Sequence, residues 1–218
     1  MTTLSILKTS VDAWLIRDDI AVSGTDFPQI LLLAESDIAR DVHCVMQETS
    51  ADIVFTGRSA DLPANYMQER NPFIDDNVRN MSYLTPKAIK EGPAWNDGRV
   101  GAFYTLEGGG GSAGDERVKM IIAGPASVTT PLTVTVNYIA RFAPLVNAGD
   151  TNWLLKNHFD VYLYATLRAA AEMIQEDMLE DRYAAKYERA AARTNLAENR
   201  RRVGMSPKYA SNSPRTTV

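Results

Sequence analysis

The stretch from Asn152 to Ile174, NWLLKNHFDVYLYATLRAAAEMI, is the most apolar part of the chain. Leu155, Phe159, Leu163, Leu167, Ala170 and Ile174 recur at steps of three or four, which puts them on one face of a helix. Lys156, Asp160, Arg168 and Glu172 fall between them on another face, in pairs four apart that a helix surface brings together. The pattern predicts one main helix capped by Asn157, with Asp160 three residues on favouring the same start. Ala169, Ala170 and Ala171 are narrow enough to let a second helix approach closely. A helix of this kind needs partners along its apolar side.

Working outward, three further segments supply them. Thr3 to Arg17 reads as an amphipathic helix capped by Thr3, with Leu4, Leu7, Val11, Trp14 and Leu15 turned inward. Asp18, Asp19 and a Ser23–Gly24 turn separate it from a second helix, which opens at Thr25 or Asp26, accepts Pro28 in its first turn and runs to about Val42. Phe27, Ile30, Leu31, Ala34 and Ile38 form its buried face. Beyond a break at Glu176–Asp177, a last helix runs from about Met178 to Val203, with Leu179, Tyr183, Tyr187, Ala190 or Ala191 and Thr194 inside, and Gly204 as its stop.

Between these helical ends the periodicity changes. Val45 to Phe55, Tyr66 to Arg70, Phe103 to Glu107, Val118 to Ile122 and Pro131 to Phe142 have strand composition. In the last of them Leu132, Val134, Val136 and Tyr138 share one face. Asn71 to Asn80 reads as a surface connection, Met81 to Leu84 follows it, and Thr85–Pro86 opens a short helix ending by Gly92–Pro93. Gly108, Gly109, Gly110 and Gly111 begin a flexible hairpin loop that runs to Gly114. The fold expected is α+β: a helical bundle of about four helices from residues 1–44 and 143–203, a β-rich sandwich- or barrel-like insertion over 45–142, and an extended C-terminal arm over 204–218.

With 218 residues, 45% of them hydrophobic and 23% charged, the composition is that of a globular protein with one good core. The N-terminal MTTLSILK lacks the pattern of a secretory signal, and no apolar run approaches the roughly 18 residues of a membrane span. Cys44 is the single cysteine, and the chain reads as one folded in a reducing cytoplasm. The net charge of −4 is unevenly spread: from Lys186 onward eight basic residues face two acidic ones, a net of +6, which leaves −10 on the first 185. An acidic body with a basic end points to a negatively charged partner, nucleic acid or protein.

Catalytic chemistry finds little support. The glycine run is followed by Ser112–Ala113–Gly114–Asp115 and a strand, not by the Lys–Ser or Lys–Thr and helix of a phosphate loop. His43 and His158 lack ligand spacing to each other or to Cys44; His158 fits packing or capping, and the His43–Cys44 pair has no third orienting group. Asp18–Asp19, Asp75–Asp76 and Glu176–Asp177 lie at turns and caps. Glu35 and Arg40 fall on the outer face of the second helix, a solvated face or an interface. Arg200, Arg201 and Arg202 with Lys208 are the most suggestive charge cluster: they complement a helix end or dock on an acidic surface. No catalytic residue, metal ligand or cofactor is expected.

The ordered set FPQILLLAESDIARDV, DLPANYMQERNP, SYLTPKAIKEGPAWN, AFYTLEGGG and TVTVNYIARFAPLVNAGDTNWLLKNHFDVYLYATLRAAAEM resembles the head-to-tail adaptor (connector) proteins of tailed bacteriophages, over roughly residues 3 to 200. Relatives often carry proline where this chain has Phe159. The resemblance implies a non-enzymatic virion protein of the neck, assembled in the host cytoplasm. Copies would form a ring on the portal protein, commonly matching its twelve-fold symmetry. The ring would extend a channel that DNA passes without specific binding, and offer a platform to a tail tube or nozzle protein, with no membrane involved. A basic segment with Arg200, Arg201, Arg202, Lys208, Tyr209 and Arg215 would be the portal-binding arm. The alternatives are a nucleic-acid-binding protein using that basic segment, and a small hydrolase in the β-rich part, for which no clustered polar site is found.

Overall fold

A computed structural model of the chain describes residues 2–15, 26–74, 79–91, 103–110, 117–123 and 127–203. In chain order these form α1 (Leu4–Leu15), α2 (Phe27–Asp41), a 3-10 turn (Val45–Gln47), β1 (Glu48–Gly57), β2 (Ser59–Asp61) and β3 (Tyr66–Ile74). There follow β4 (Arg79–Asn80), β5 (Ser82–Tyr83), α3 (Pro86–Glu91), β6 (Phe103–Gly110), β7 (Arg117–Ile122) and β8 (Ser127–Ala140). The chain continues with α4 (Trp153–Asn157), α5 (Phe159–Met173) and α6 (Asp177–Val203). This is an α+β protein. It divides into two compact units, Met1–Val45 with Ala143–Val218, and Met46–Phe142. The expected turns at Asp18–Asp19, Ser23–Gly24 and Gly92–Pro93, the Asp75–Asp76 pair and the arm over 204–218 lie outside the described residues.

In the helical unit, α5 is buried nearly all round: Val161, Tyr162, Leu163, Ala165, Thr166, Leu167 and Ala169 to Ala171 all lie inside. It packs on α1, α2, α4 and α6, so one helix serves as the shared wall of the bundle. The three alanines allow that crowding. α1 buries Leu4, Leu7, Val11 and Leu15, and α2 buries Phe27, Ile30, Leu31, Ala34 and Ile38. Trp14, expected inside, is 44% exposed; its ring meets Tyr164 edge-on at 6.0 Å and lies 5.1 Å from the Lys186 ammonium. Packing from both an aromatic edge and a cation holds it at the rim.

The single helix expected from Asn157 is two helices. Asn152 caps α4, its Oδ1 accepting from the Leu155 N–H at 2.9 Å. Asn157 instead donates from Nδ2 to the Trp153 carbonyl at 2.8 Å. His158 then leaves helical geometry (φ −136°, ψ 60°), and its ring sits 5.4 Å from that of Trp153 with Nδ1 3.1 Å from Thr194 Oγ1. These contacts hold the break without a proline at position 159. Leu155, Leu163 and Leu167 are buried, whereas Phe159 and Ile174, at the two ends of α5, are only half-buried.

Glu35 does not lie on the outer face with the exposed Arg40. It is half-buried and accepts from the Leu145 N–H at 3.1 Å and from the Tyr162 hydroxyl. Asn152 completes this group, donating to Tyr162 Oη at 2.6 Å and to the Ala143 carbonyl at 3.1 Å. Burial raises the Glu35 pKa, partly offset by the hydrogen bonds from Leu145 and Tyr162; burial also raises that of Tyr162.

The β unit is two open four-stranded sheets. One has the order β1-β8-β3-β4 and the other β2-β7-β6-β5. All pairings are antiparallel except β5 with β6. Ile53, Phe55, Val134, Val136 and Tyr138 from the first sheet and Tyr104, Met120 and Ile122 from the second share one buried cluster. The sheets therefore enclose a sandwich core and, among the described strands, do not close as a barrel. β8 is the central strand, and the register irregularity opposite Phe55 and Gly57 falls where Pro131 has no N–H to offer. The surface connection expected over 71–80 is corrected: β3 continues to Ile74, and Phe73 and Ile74 pair with Asn80 and Arg79. The hairpin loop also begins later than expected. Gly108 still pairs with Val118 and Gly110 with Arg117, and Gly109 bulges out between them at φ +98°, a conformation open to glycine. Gly111 lies outside the described residues.

Two measurements test this account. Asn152→Ala removes a helix cap and two buried donors together, and should lower stability by about 2 kcal/mol or more in chemical denaturation; a loss below about 0.5 kcal/mol would contradict the assignment. Glu35 should titrate above its ordinary value of 4.5 in carbon-detected NMR. Because the unfolded state releases this proton first, Glu35 should lower stability as pH rises from about 4.5 through the raised value, and Glu35→Gln should remove that part of the pH dependence.

Candidate assembly surface

The C-terminal third of α6 is held by side chains that reach the end of α2. A helix end leaves carbonyls without intrahelical partners, and Asn195 Nδ2 donates to that of Asp41 at 2.7 Å. The same amide accepts from the His43 N–H through Oδ1 at 2.9 Å. About two turns earlier the Tyr187 hydroxyl donates to Asp41 Oδ2 at 3.1 Å. Burial and the neighbouring Asp41 carboxylate raise the Tyr187 pKa, so the phenol stays a donor.

Glu198 closes this latch. It is 1% exposed, and its Oε2 accepts from the Val45 N–H at 3.2 Å. Its Oε1 takes Arg201 Nη1 at 2.8 Å, and the Arg201 guanidinium lies 5.8 Å from the centre of the Trp153 ring. A carboxylate inside a basic run is thus kept buried by a backbone donor and a cation. It was missed from sequence, where the run was read by its net charge.

The basic residues therefore do different things. Arg201 is tied to its own unit, and Lys186 lies within 5.6 Å of the Trp14, Tyr164 and Tyr183 rings. Arg200 is exposed on α6 near the latch. Arg202 also lies on α6, and Lys208, Tyr209 and Arg215 lie outside the described residues. The structure brings the arginine triad to one helix end, where Arg201 is tied to Glu198 and Arg200 is exposed.

Cys44 is buried while its neighbour His43 is exposed, so thiol and imidazole are not presented together. Among the described residues no group of three or more His, Cys, Asp or Glu side chains could hold a metal ion. Nor is any helix among them long and apolar enough to cross a membrane.

The family model for SU10 adaptor proteins matches residues 2–213. The chain belongs to the SU10 adaptor protein family. The match runs through both units. An SU10 adaptor protein has a structural role in the neck of the virion, among portal and tail components. No curated protein matches the chain.

The latch makes a local prediction. Asn195→Ala should leave the fold intact while amide exchange at His43 speeds up by roughly tenfold, because its acceptor is lost. Unchanged exchange at that amide would show that the α6 contact does not hold the end of α2.

Proposed function

We propose that this adaptor binds the portal protein as a ring of copies, commonly twelve to match the portal. The ring extends the DNA channel and presents the platform to which a tail tube or nozzle protein attaches. The chain does this without catalysis, and assembly takes place in the host cytoplasm. The basic segment with Arg200, Arg201, Arg202, Lys208, Tyr209 and Arg215 is the portal-binding arm.

The observation that carries this reading is the family match over residues 2–213, joined to the charge division between an acidic body and a basic end. An acidic body suits a channel that must let phosphates slide, since each Lys or Arg contact to a phosphate adds affinity. A polar segment that orders on a partner adds contact area without enlarging the core. The latch at Asn195 and Glu198 supports the arm reading, because it fixes the helix end from which residues 204–218 continue.

Sedimentation of the full chain with portal rings of the same phage tests this. Co-migration near one copy per portal subunit is expected, and deletion of 204–218 should leave a folded protein that no longer co-migrates. Full binding by the truncated chain would remove the arm. No binding by the intact chain would remove the portal reading, and strongly salt-dependent binding to DNA in its place would favour nucleic-acid recognition.

A further inference from the structure

The two sheets of the β unit end in β1 and β4, and in β2 and β5. Among the described residues, all of these edges but one are blunted. β2 is three residues long, and β4 and β5 have two each. Behind β4, the open flank of β3 is broken by register irregularities between Tyr66 and Gln68 and between Glu69 and Asn71. Short edges and bulges of this kind keep a sheet from pairing with other chains. β1 has no such guard. It runs unbroken against β8 from Glu48 to Phe55, with neither proline nor lysine in it.

Which main-chain groups β1 turns outward follows from Pro72. The Pro72 carbonyl accepts from the Met81 N–H at 3.1 Å, on the side of β4, so Pro72 faces away from β8. Val136, opposite Pro72, therefore turns its own N–H and carbonyl away from β3 and toward Ala51 of β1. These directions alternate along a strand. Thr49, Ala51, Ile53 and Phe55 thus bond to β8, while Ser50, Asp52 and Val54 point N–H and carbonyl at the free edge. None of these outward groups has a partner among the described residues. The side chains of the same three residues are exposed, Val54 at 55%.

We propose that this edge pairs with β1 of a second copy, antiparallel about a two-fold axis, joining two four-stranded sheets across their β1 strands. Charge selects the register. An axis at Asp52 would oppose two carboxylates, and an axis at Ala51 would set Glu48 against Val54. An axis at Ile53 opposes Asp52 to Val54 and Ser50 to Thr56, and brings Glu48 beside Arg58 of the other copy. In that register Asp52 and Val54, both turned outward, exchange main-chain hydrogen bonds on each side of the axis. The broken flank of β3 and the short β4 offer β1 no comparable match, so the sheet does not extend head to tail. A two-fold pair closes on itself and cannot build a ring. The contact therefore goes beyond the ring reading: it covers an open strand edge in the chain before it reaches the portal.

Sedimentation equilibrium of the full chain without portal tests the pair. A reversible equilibrium between one and two copies is expected. Val54→Asp sets a carboxylate opposite Asp52 of the other copy and should weaken pairing roughly tenfold; D52K/V54D restores opposite charges and should recover it. Val54→Pro removes an N–H that points at the free edge and no bond to β8. It should stay folded by circular dichroism and remain monomeric at the concentrations where the natural chain pairs. Should V54P lose the fold, V54D and its rescue decide alone. A natural chain that is monomeric throughout, association that continues past two copies, or pairing untouched by V54D or by a folded V54P would each overturn the proposal. Failure of a folded D52K/V54D to recover pairing would do the same.

Discussion

Asn152 lies beneath the surface with its amide carbonyl and both N–H donors engaged, and the placement of three segments follows from that. Through Oδ1 it starts α4, and through Nδ2 it holds the Ala143 carbonyl, where the chain re-enters the helical unit. Through Tyr162 it reaches Glu35, which in turn holds the Leu145 N–H. Removing any member would leave a buried polar group without its partner, and such groups are costly. The half-buried carboxylate of Glu35 is tolerated because it accepts two donors.

The same rule applies at the other end of the helical unit. The chain leaves α2 with backbone groups that need partners, and α6 supplies them from Asn195 and Glu198, more than 150 residues later. The basic run at the end of α6 is partly structural for that reason. Arg201 neutralises a buried carboxylate, and Lys186 rests among three aromatic rings, while Arg200 stands exposed on α6. A count of charges by segment merges these roles; separating them requires the helix face on which each residue stands.

How much of this was legible in the sequence depends on the range of the interactions involved. The buried face of α2 is legible residue by residue, because its period is strong and bundle packing reinforces it. The inward side of α6 is legible at Tyr183, Tyr187 and Thr194 for the same reason. Trp14 was misplaced because a helical pattern cannot anticipate a lysine arriving from another helix. The break at His158 was hidden because it depends on Trp153 and Thr194 rather than on a breaker residue. β2 and β4, only three and two residues long, leave no periodic trace and exist through pairing with β7 and β3. Within the candidate surface the arginines were visible as a cluster, but Glu198 was not, since its burial depends on the distant Val45 N–H as well as on Arg201.

The helical unit is discontinuous in the chain, with α1 and α2 before the β unit and α4 to α6 after it. That has a consequence for the order of events during translation. The apolar faces of α1 and α2 emerge first and have no wall to pack against until α5 has been made. The β unit, whose strands pair only with one another, is complete before then. The latch from α6 to Asp41, His43 and Val45 can close only near the end of synthesis. On the ribosome, therefore, the middle of this chain can fold first, and its two ends come together last.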